Sequence, residues 1–242
     1  QQVVTLAALL AAIVHDYEHD GCSNDFQIKA HSRRSVLYND RSPNENHHVA
    51  AAFRVMAGPS CDILEGLSAA TYRAVRRLTI ELVLSTDPGK TGGLVQSFTE
   101  MAGAAGMADA CDPGSVPEAA FAPTSAEDAL LVLKMALKCA DLGHLALSWS
   151  AHMQWVWRLE TEFFSQGDRE KQLKPPEVSA LMDRDKPGVS KSQVGFFDFV
   201  ALPLFRLFVR SYPAAAPMLA AVEANYQRWR EVQSDDLASP PP

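Results

Sequence analysis

The chain has 242 residues, of which 47% are apolar and 21% charged, and 22 basic against 29 acidic side chains leave a formal net charge of −7. That balance is ordinary for a globular fold and excludes a disordered or collagen-like chain. It also speaks against nucleic acid as a partner, because no basic run longer than Arg33-Arg34 or Arg76-Arg77 is present to displace counterions. The cysteines (Cys22, Cys61, Cys111, Cys139) are scattered without a C-x-x-C pair, which fits a reducing compartment and argues against a cysteine zinc site.

The first predicted element is the apolar run Val3–Val14. At about a dozen residues it falls short of the ~20 that a membrane span needs, and no basic lead-in precedes it, so it reads as a buried core helix. The chain opens Gln-Gln already inside that helix and without an initiator Met, which reads as a fragment of a longer product. Helix follows helix from there, over about 3–18, 44–57, 66–84, 126–140, 149–165, 192–209 and 215–233, and no stretch alternates with a two-residue period. Thr124-x-x-Glu127 and Ser125-x-x-Asp128 are overlapping capping boxes ahead of the Leu130/Leu133/Leu137 stripe. Gly21 and Gly167 stand where C-terminal caps are expected, and Pro203 and Pro217 predict a kink or a boundary. Residues 87–123, rich in Gly, Ala and Pro, read as a long loop with room for one short helix. The sequence thus predicts one all-helical domain over 1–234 and a disordered tail over 235–242.

Four clusters carry chemistry. His15-Asp16-Tyr17-Glu18-His19 puts two imidazoles four residues apart, on one face of a helix, with a carboxylate beside the first. Such nitrogen and oxygen donors suit zinc, manganese or a zinc/magnesium pair. The plainer reading is a solvated helix end, but unpaired charge closing an apolar helix is costly to bury, and a metal would compensate it. Asp141 also closes an apolar helix; it either joins such a site, caps the next helix or pairs with Lys138. In Glu45-Asn46-His47-His48 the adjacent histidines cannot share a face, so at most one joins Glu45. In Ser192-Gln193-Val194-Gly195-Phe196-Phe197-Asp198-Phe199 the amide beside aromatics can bond and stack a planar heterocycle, against the plainer reading of a buried amphipathic helix. A Walker loop, a dinucleotide fingerprint and a G-x-S-x-G elbow are all absent.

Six motifs in order resemble one family. His-Asp-Tyr-Glu-His-Asp-Gly, Leu-Tyr-Asn-Asp-Arg-Ser with Glu-Asn-His-His, Leu-Ser-Thr-Asp, Ala-Asp-Leu-Gly-His, Glu-Phe-Phe-Ser-Gln-Gly-Asp and Ser-Gln-Val-Gly-Phe-Phe-Asp-Phe are similar to the catalytic domain of class I 3′,5′-cyclic-nucleotide phosphodiesterases. The resemblance runs from about Leu6 to Trp229 and, in the first two motifs, is nearest to the calmodulin-stimulated branch. It implies an all-α, multi-helix domain with a two-metal centre of zinc and magnesium (or manganese), hydrolysing cAMP, cGMP or both to the 5′-monophosphate. It further implies that His15, Asp16 and Asp141 are metal ligands, with His19, Glu45 and Thr86 holding metal-bound waters. Gln193 would bond the base between Phe196 and Leu159, with Phe163 and His144 shaping the pocket. The domain is expected in the cytoplasm, without nucleic-acid or membrane contact of its own, its regulatory domains lying elsewhere in a longer chain.

The sequence departs from that family in three places. The family's Tyr-His-Asn-x-x-His-Ala motif, which supplies the general-acid histidine and one metal ligand, is expected upstream of Gln1. Pro88-Gly89-Lys90-Thr91 replaces the usual Met-x-x-His run after Thr86-Asp87, and Gly143 and Leu145 replace Ser and Pro around His144. Two other readings follow: an inactive cyclic-nucleotide-binding regulatory module, and a metal phosphohydrolase acting on other nucleotides.

Overall fold

A computed structural model describes residues 2–104, 121–173 and 176–234. Among them there is no strand, and the α-helices are α1 (Gln2–Val14), α2 (Asn24–Lys29), α3 (Arg33–Leu37), α4 (Pro43–Met56), α5 (Ala69–Leu84), α6 (Thr91–Ala104), α7 (Ala126–Asp141), α8 (Trp149–Glu170), α9 (Gln193–Phe196), α10 (Leu202–Ser211) and α11 (Ala216–Ser234). The chain divides into two compact units, Gln1–Ser97 with Pro123–Lys138 and Phe98–Ala122 with Cys139–Pro242. Helices α6 and α7 each contribute residues to both.

The first unit is built on α1. Ala7, Leu10, Ala11 and Val14 recur at helical spacing and are all buried, and the small Ala7 and Ala11 let α5 approach closely. Val75, Leu82 and Val83 of α5, and Val49, Ala52, Phe53 and Met56 of α4, complete this core. Leu130 and Leu133 of α7 pack against it and Leu137 lies within it, so the stripe read from the sequence is a core face. The capping box ahead of it forms: Asp128 N–H donates to Ser125 Oγ at 3.0 Å, and Ser125 N–H to Asp128 Oδ2 at 3.0 Å.

The second unit is organised around a fully buried Trp229. Its neighbours include His152, whose ring meets it edge-on at 6.0 Å, and Trp149 at 5.2 Å. The segment Val189–Ser211 is, by length and composition alone, apolar enough to cross a membrane. Phe197, Ala201, Leu202, Leu204, Phe205 and Val209 of that segment are buried in the unit's core. It is not one regular helix: Phe197–Ala201 forms a π-turn between α9 and α10. Pro203 explains the break, since it lacks an N–H and its ring would strike the carbonyl of Phe199 in a regular helix.

Four sequence expectations change. α1 stops at Val14 rather than at residue 18, because His15 Nδ1 bonds the Ala12 carbonyl at 2.9 Å and Glu18 takes a left-handed φ of 61°. The stretch 87–123 holds α6, with Leu94, Phe98 and Ala102 buried four residues apart; glycines at 92 and 93 had blurred that stripe. Short helices α2 and α3 occupy the span between Gly21 and Tyr38, started by Ser23 and Ser32, whose hydroxyls accept from Phe26 N–H and Ser35 N–H. Gly167 lies inside α8 rather than at its end. It is needed for close approach: a Cβ there would collide with the Met182 carbonyl. Pro203 and Pro217 do sit at helix starts. The expected tail over 235–242, and residues 105–120 of the expected loop, lie outside the described residues.

Candidate functional site

In the first unit, the turn following α1 gathers the His-Asp motif with one face of α4. His15 Nδ1 faces a carbonyl, which only accepts, so Nδ1 carries a proton and Nε2 is the nitrogen turned toward Asp16. That Nε2 lies 3.5 Å from Asp16 Oδ2. His48, on α4, repeats the arrangement: its Nδ1 donates to the Tyr17 carbonyl at 2.7 Å, and its Nε2 lies 3.9 Å from Asp16 Oδ1. Burial drives the His48 pKa down to about 4, so the ring is neutral at physiological pH. Two imidazole Nε2 atoms, that of His48 a lone pair, and a carboxylate therefore converge, and a cation is a partner that such a donor set suits.

Glu45 is buried one helical turn before His48 and accepts from Asn24 Nδ2 at 2.9 Å. Desolvation raises its pKa above the ordinary carboxylate value. Asn44 and Arg34 brace the same corner: Asn44 Nδ2 donates to the Cys22 carbonyl at 2.8 Å, and Arg34 donates to Asn44 Oδ1 and to the Glu18 carbonyl. His47 turns the other way and pairs with Glu18 at 2.8 Å. Thr86 is buried at the end of α5, with its hydroxyl donated to the Val83 carbonyl and its own carbonyl accepting from Lys138 Nζ. The replaced run after it is capped by Asp87, which accepts from Gly89 N–H and from Ser42 Oγ.

His19 is exposed, and its ring centroid is 5.5 Å from that of His48. His15 and His19 do not share a helical face, because the helix has already ended. The expectation that only one of the adjacent histidines accompanies Glu45 holds, and the buried one is His48. It was not among the expected ligands, although its three-residue spacing from Glu45 on α4 places both on one face.

In the second unit, Asp141 is the half-buried last residue of α7, one turn beyond Leu137. His144 follows in a 3₁₀ turn. Trp229 Nε1–H donates to His152 Nε2 at 2.8 Å, so His152 carries its proton on Nδ1 and donates it to His144 Nδ1 at 3.2 Å. His144 therefore holds its own proton on Nε2. Burial lowers the pKa of both rings, that of His152 to about 4. Leu145, replacing the expected Pro, is fully buried, and its carbonyl accepts from Asn225.

Gln193 is 3% exposed. Its Nε2 donates to the Val189 carbonyl at 3.2 Å, while its buried Oε1 accepts no hydrogen bond. Buried amides are normally satisfied at both ends, so this oxygen is an acceptor that a polar partner would satisfy. Phe196 is half-buried in the same short helix, and Leu159 and Phe163 are half-buried one turn apart on α8. Helix α8 and the Gln193 segment are joined beside them, Glu160 accepting from Ser190.

These motifs and folds define a family. The chain belongs to the 3′5′-cyclic nucleotide phosphodiesterases, whose family profile matches residues 1–222, and that family is metal-dependent. Among curated relatives it is 35% identical over 237 residues to the 3′,5′-cyclic-AMP phosphodiesterase 4C of Rattus norvegicus, covering 98% of this chain and 42% of the relative. The Mus musculus protein of the same description is 34% identical over 98% of this chain and 33% of its own length. The chain thus spans less than half the length of these relatives. Among solved structures, the phosphodiesterase domain of the Salpingoeca rosetta rhodopsin phosphodiesterase matches at a TM-score of 0.85 and 26% identity, covering 97% of this chain and 68% of that one.

Proposed function

We propose that this chain is the catalytic part of an enzyme that hydrolyses 3′,5′-cyclic nucleotides, cAMP, cGMP or both, to 5′-monophosphates in the cytoplasm. The observation that carries the reading is the single family match, which takes in every residue assigned below. That the rat and mouse relatives are 3′,5′-cyclic-AMP phosphodiesterases favours cyclic AMP as a substrate.

His15, Asp16 and Asp141 hold two divalent ions, zinc and magnesium or manganese, with His19, Glu45 and Thr86 arranging waters around them. The donor chemistry fits, since His15 and His48 both turn Nε2 toward Asp16 while a backbone carbonyl holds the Nδ1 of each. Bound there, the ions supply a water acidified toward neutrality and offset the charge of the phosphate. The protein's own part is to orient and enclose. The Ala12 and Tyr17 carbonyls fix which nitrogen of each imidazole carries its proton. Gln193 meets the base edge, Phe196 and Leu159 take its two faces, and Phe163 and His144 shape the wall. Regulatory segments belong to other parts of a longer protein.

Two variants of the full-length protein test this. Asp141→Ala is expected to remove bound metal, measured by elemental analysis, together with turnover; full turnover at saturating metal overturns the ligand assignment. Gln193→Ala is expected to raise KM by roughly tenfold or more with metal content intact, as for a lost buried hydrogen bond. Metal loss from Gln193→Ala would instead make that residue structural.

A further inference from the structure

We propose that a groove between α5, α6 and α7, lying wholly within the first unit, is a binding site for a small organic carboxylate with an apolar body. The groove has a volume of about 600 Å³, a size that suits a small molecule. Leu84 of α5, Leu94 of α6 and Leu131 of α7 give it one apolar wall each. None of His15, Asp16, His48 or Asp141 lines it. It sits instead behind the turn that carries Thr86 and Asp87, between Ser85 on one side and Gly89 on the other.

Its charges favour a single negative group. Lys134 Nζ lies 2.8 Å from Glu81 Oε2 across the groove, so these two answer each other. Lys90 is left over. Its exposed ammonium donates to the Leu84 carbonyl at 3.1 Å and pairs with no carboxylate among the described residues. Asp87, three residues earlier, has its own carboxylate engaged by Ser42 Oγ and Gly89 N–H. An ammonium has three protons, so the Leu84 bond holds Lys90 at the rim and leaves two for a ligand. A carboxylate takes them with one charge, and its apolar body rests on the three leucines.

The room for that body is kept by a glycine. Gly93 lines the groove from inside α6, where glycine weakens a helix relative to alanine. Nothing packed nearby requires it, because a Cβ at this position would meet no atom within 4 Å. Gly167 is the contrast, since the Met182 backbone crosses it and leaves no space for a side chain. At Gly93 the space is open, and a large side chain there would enter the groove.

The test is isothermal titration calorimetry of the full-length protein with octanoate, and with octan-1-ol as its uncharged counterpart. Wild type is expected to bind one octanoate per chain with a Kd of roughly 0.1–1 mM, the range for a ligand of this size. Octan-1-ol is expected to bind about fivefold more weakly, for want of the exposed ammonium–carboxylate contact. Lys90→Gln is expected to bring octanoate down to the level of octan-1-ol and to leave octan-1-ol unchanged. Gly93→Trp, which fills the groove, is expected to abolish binding of both, whereas Gly93→Ala adds one methyl and keeps it. If thermal melting shows Gly93→Trp to be misfolded, Ser97→Trp decides the matter in its place, from an exposed position one turn further along the same wall. Three results overturn the proposal: no saturable binding by wild type in the millimolar range, equal affinity for octanoate and octan-1-ol, or octanoate binding unchanged in Lys90→Gln or in the folded tryptophan variant. No nucleotide or metal enters the titration, so its outcome is independent of the assigned hydrolysis.

Discussion

Single protons on single nitrogens organise both candidate clusters. His15 and His48 each give their Nδ1 proton to a backbone carbonyl and so turn Nε2 toward Asp16. His152 spends its proton on His144 because Trp229 occupies its other nitrogen. His152 is fully buried with a pKa pushed down to about 4, so the native state binds its proton less readily than the unfolded chain, whose histidine titrates near 6.5. Between those values the unfolded state carries the extra proton, and stability therefore falls as pH drops from about 6.5 toward 4 and is full above that window. A displacement of that size corresponds to on the order of 3 kcal/mol. In urea unfolding, wild type is expected to lose stability between pH 7.5 and 5, and His152→Gln to lose distinctly less. His48, displaced in the same direction, retains part of the slope in that variant. An identical pH slope in both proteins would remove His152 from this role.

Helix α8 does more than its amphipathic pattern announces. Along one face, Glu160, Phe164, Gly167 and Glu170 hold the segment that leads to Gln193. The fully buried Glu170 accepts from Gln166 and from Ser179, Gly167 admits the Met182 backbone, and Glu160 accepts from Ser190. The bidentate Arg184–Asp168 pair on the outside is exposed and adds little. Gly167→Ala is expected to destabilise the protein by about 1–3 kcal/mol through overpacking, read as a thermal midpoint lowered by several degrees. An unchanged midpoint would mean that the segment moves aside without cost. Length and apolar period made α8 legible in the sequence, but these roles were not, because a glycine within a helical pattern looks like a cap until the strand of backbone crossing it is seen. The same limit hid the end of α1: apolar spacing does not show that His15 will cap Ala12 and stop the helix. In α6, glycines 92 and 93 diluted a stripe whose buried members, Leu94, Phe98 and Ala102, were in place all along.

At the scale of the whole chain, the all-helical class, the apolar run of α1 and the core stripe of α7 followed from local patterning, which needs no long-range information. The candidate site residues rest on another kind of signal: six short motifs in a fixed order resemble one family, and the family profile spans the residues that carry them. What the motifs left out are the supporting residues, Asn24, Asn44, Arg34, Glu160, His152 and Trp229, and they did not say which of His47 and His48 turns inward. Their roles depend on which backbone carbonyl or neighbouring ring each one meets, and only the fold brings those together. The chain covers 42% of the rat relative's length.

The most direct test follows the product. Purified full-length protein is incubated with cAMP in the presence of magnesium, with and without a strong chelator, and the reaction is followed by phosphorus NMR. The account predicts conversion to 5′-AMP that stops on chelation, returns when divalent metal is restored, and is absent in Asp16→Ala. Binding of cAMP with no 5′-AMP formed under any metal would contradict it and leave a binding module in its place.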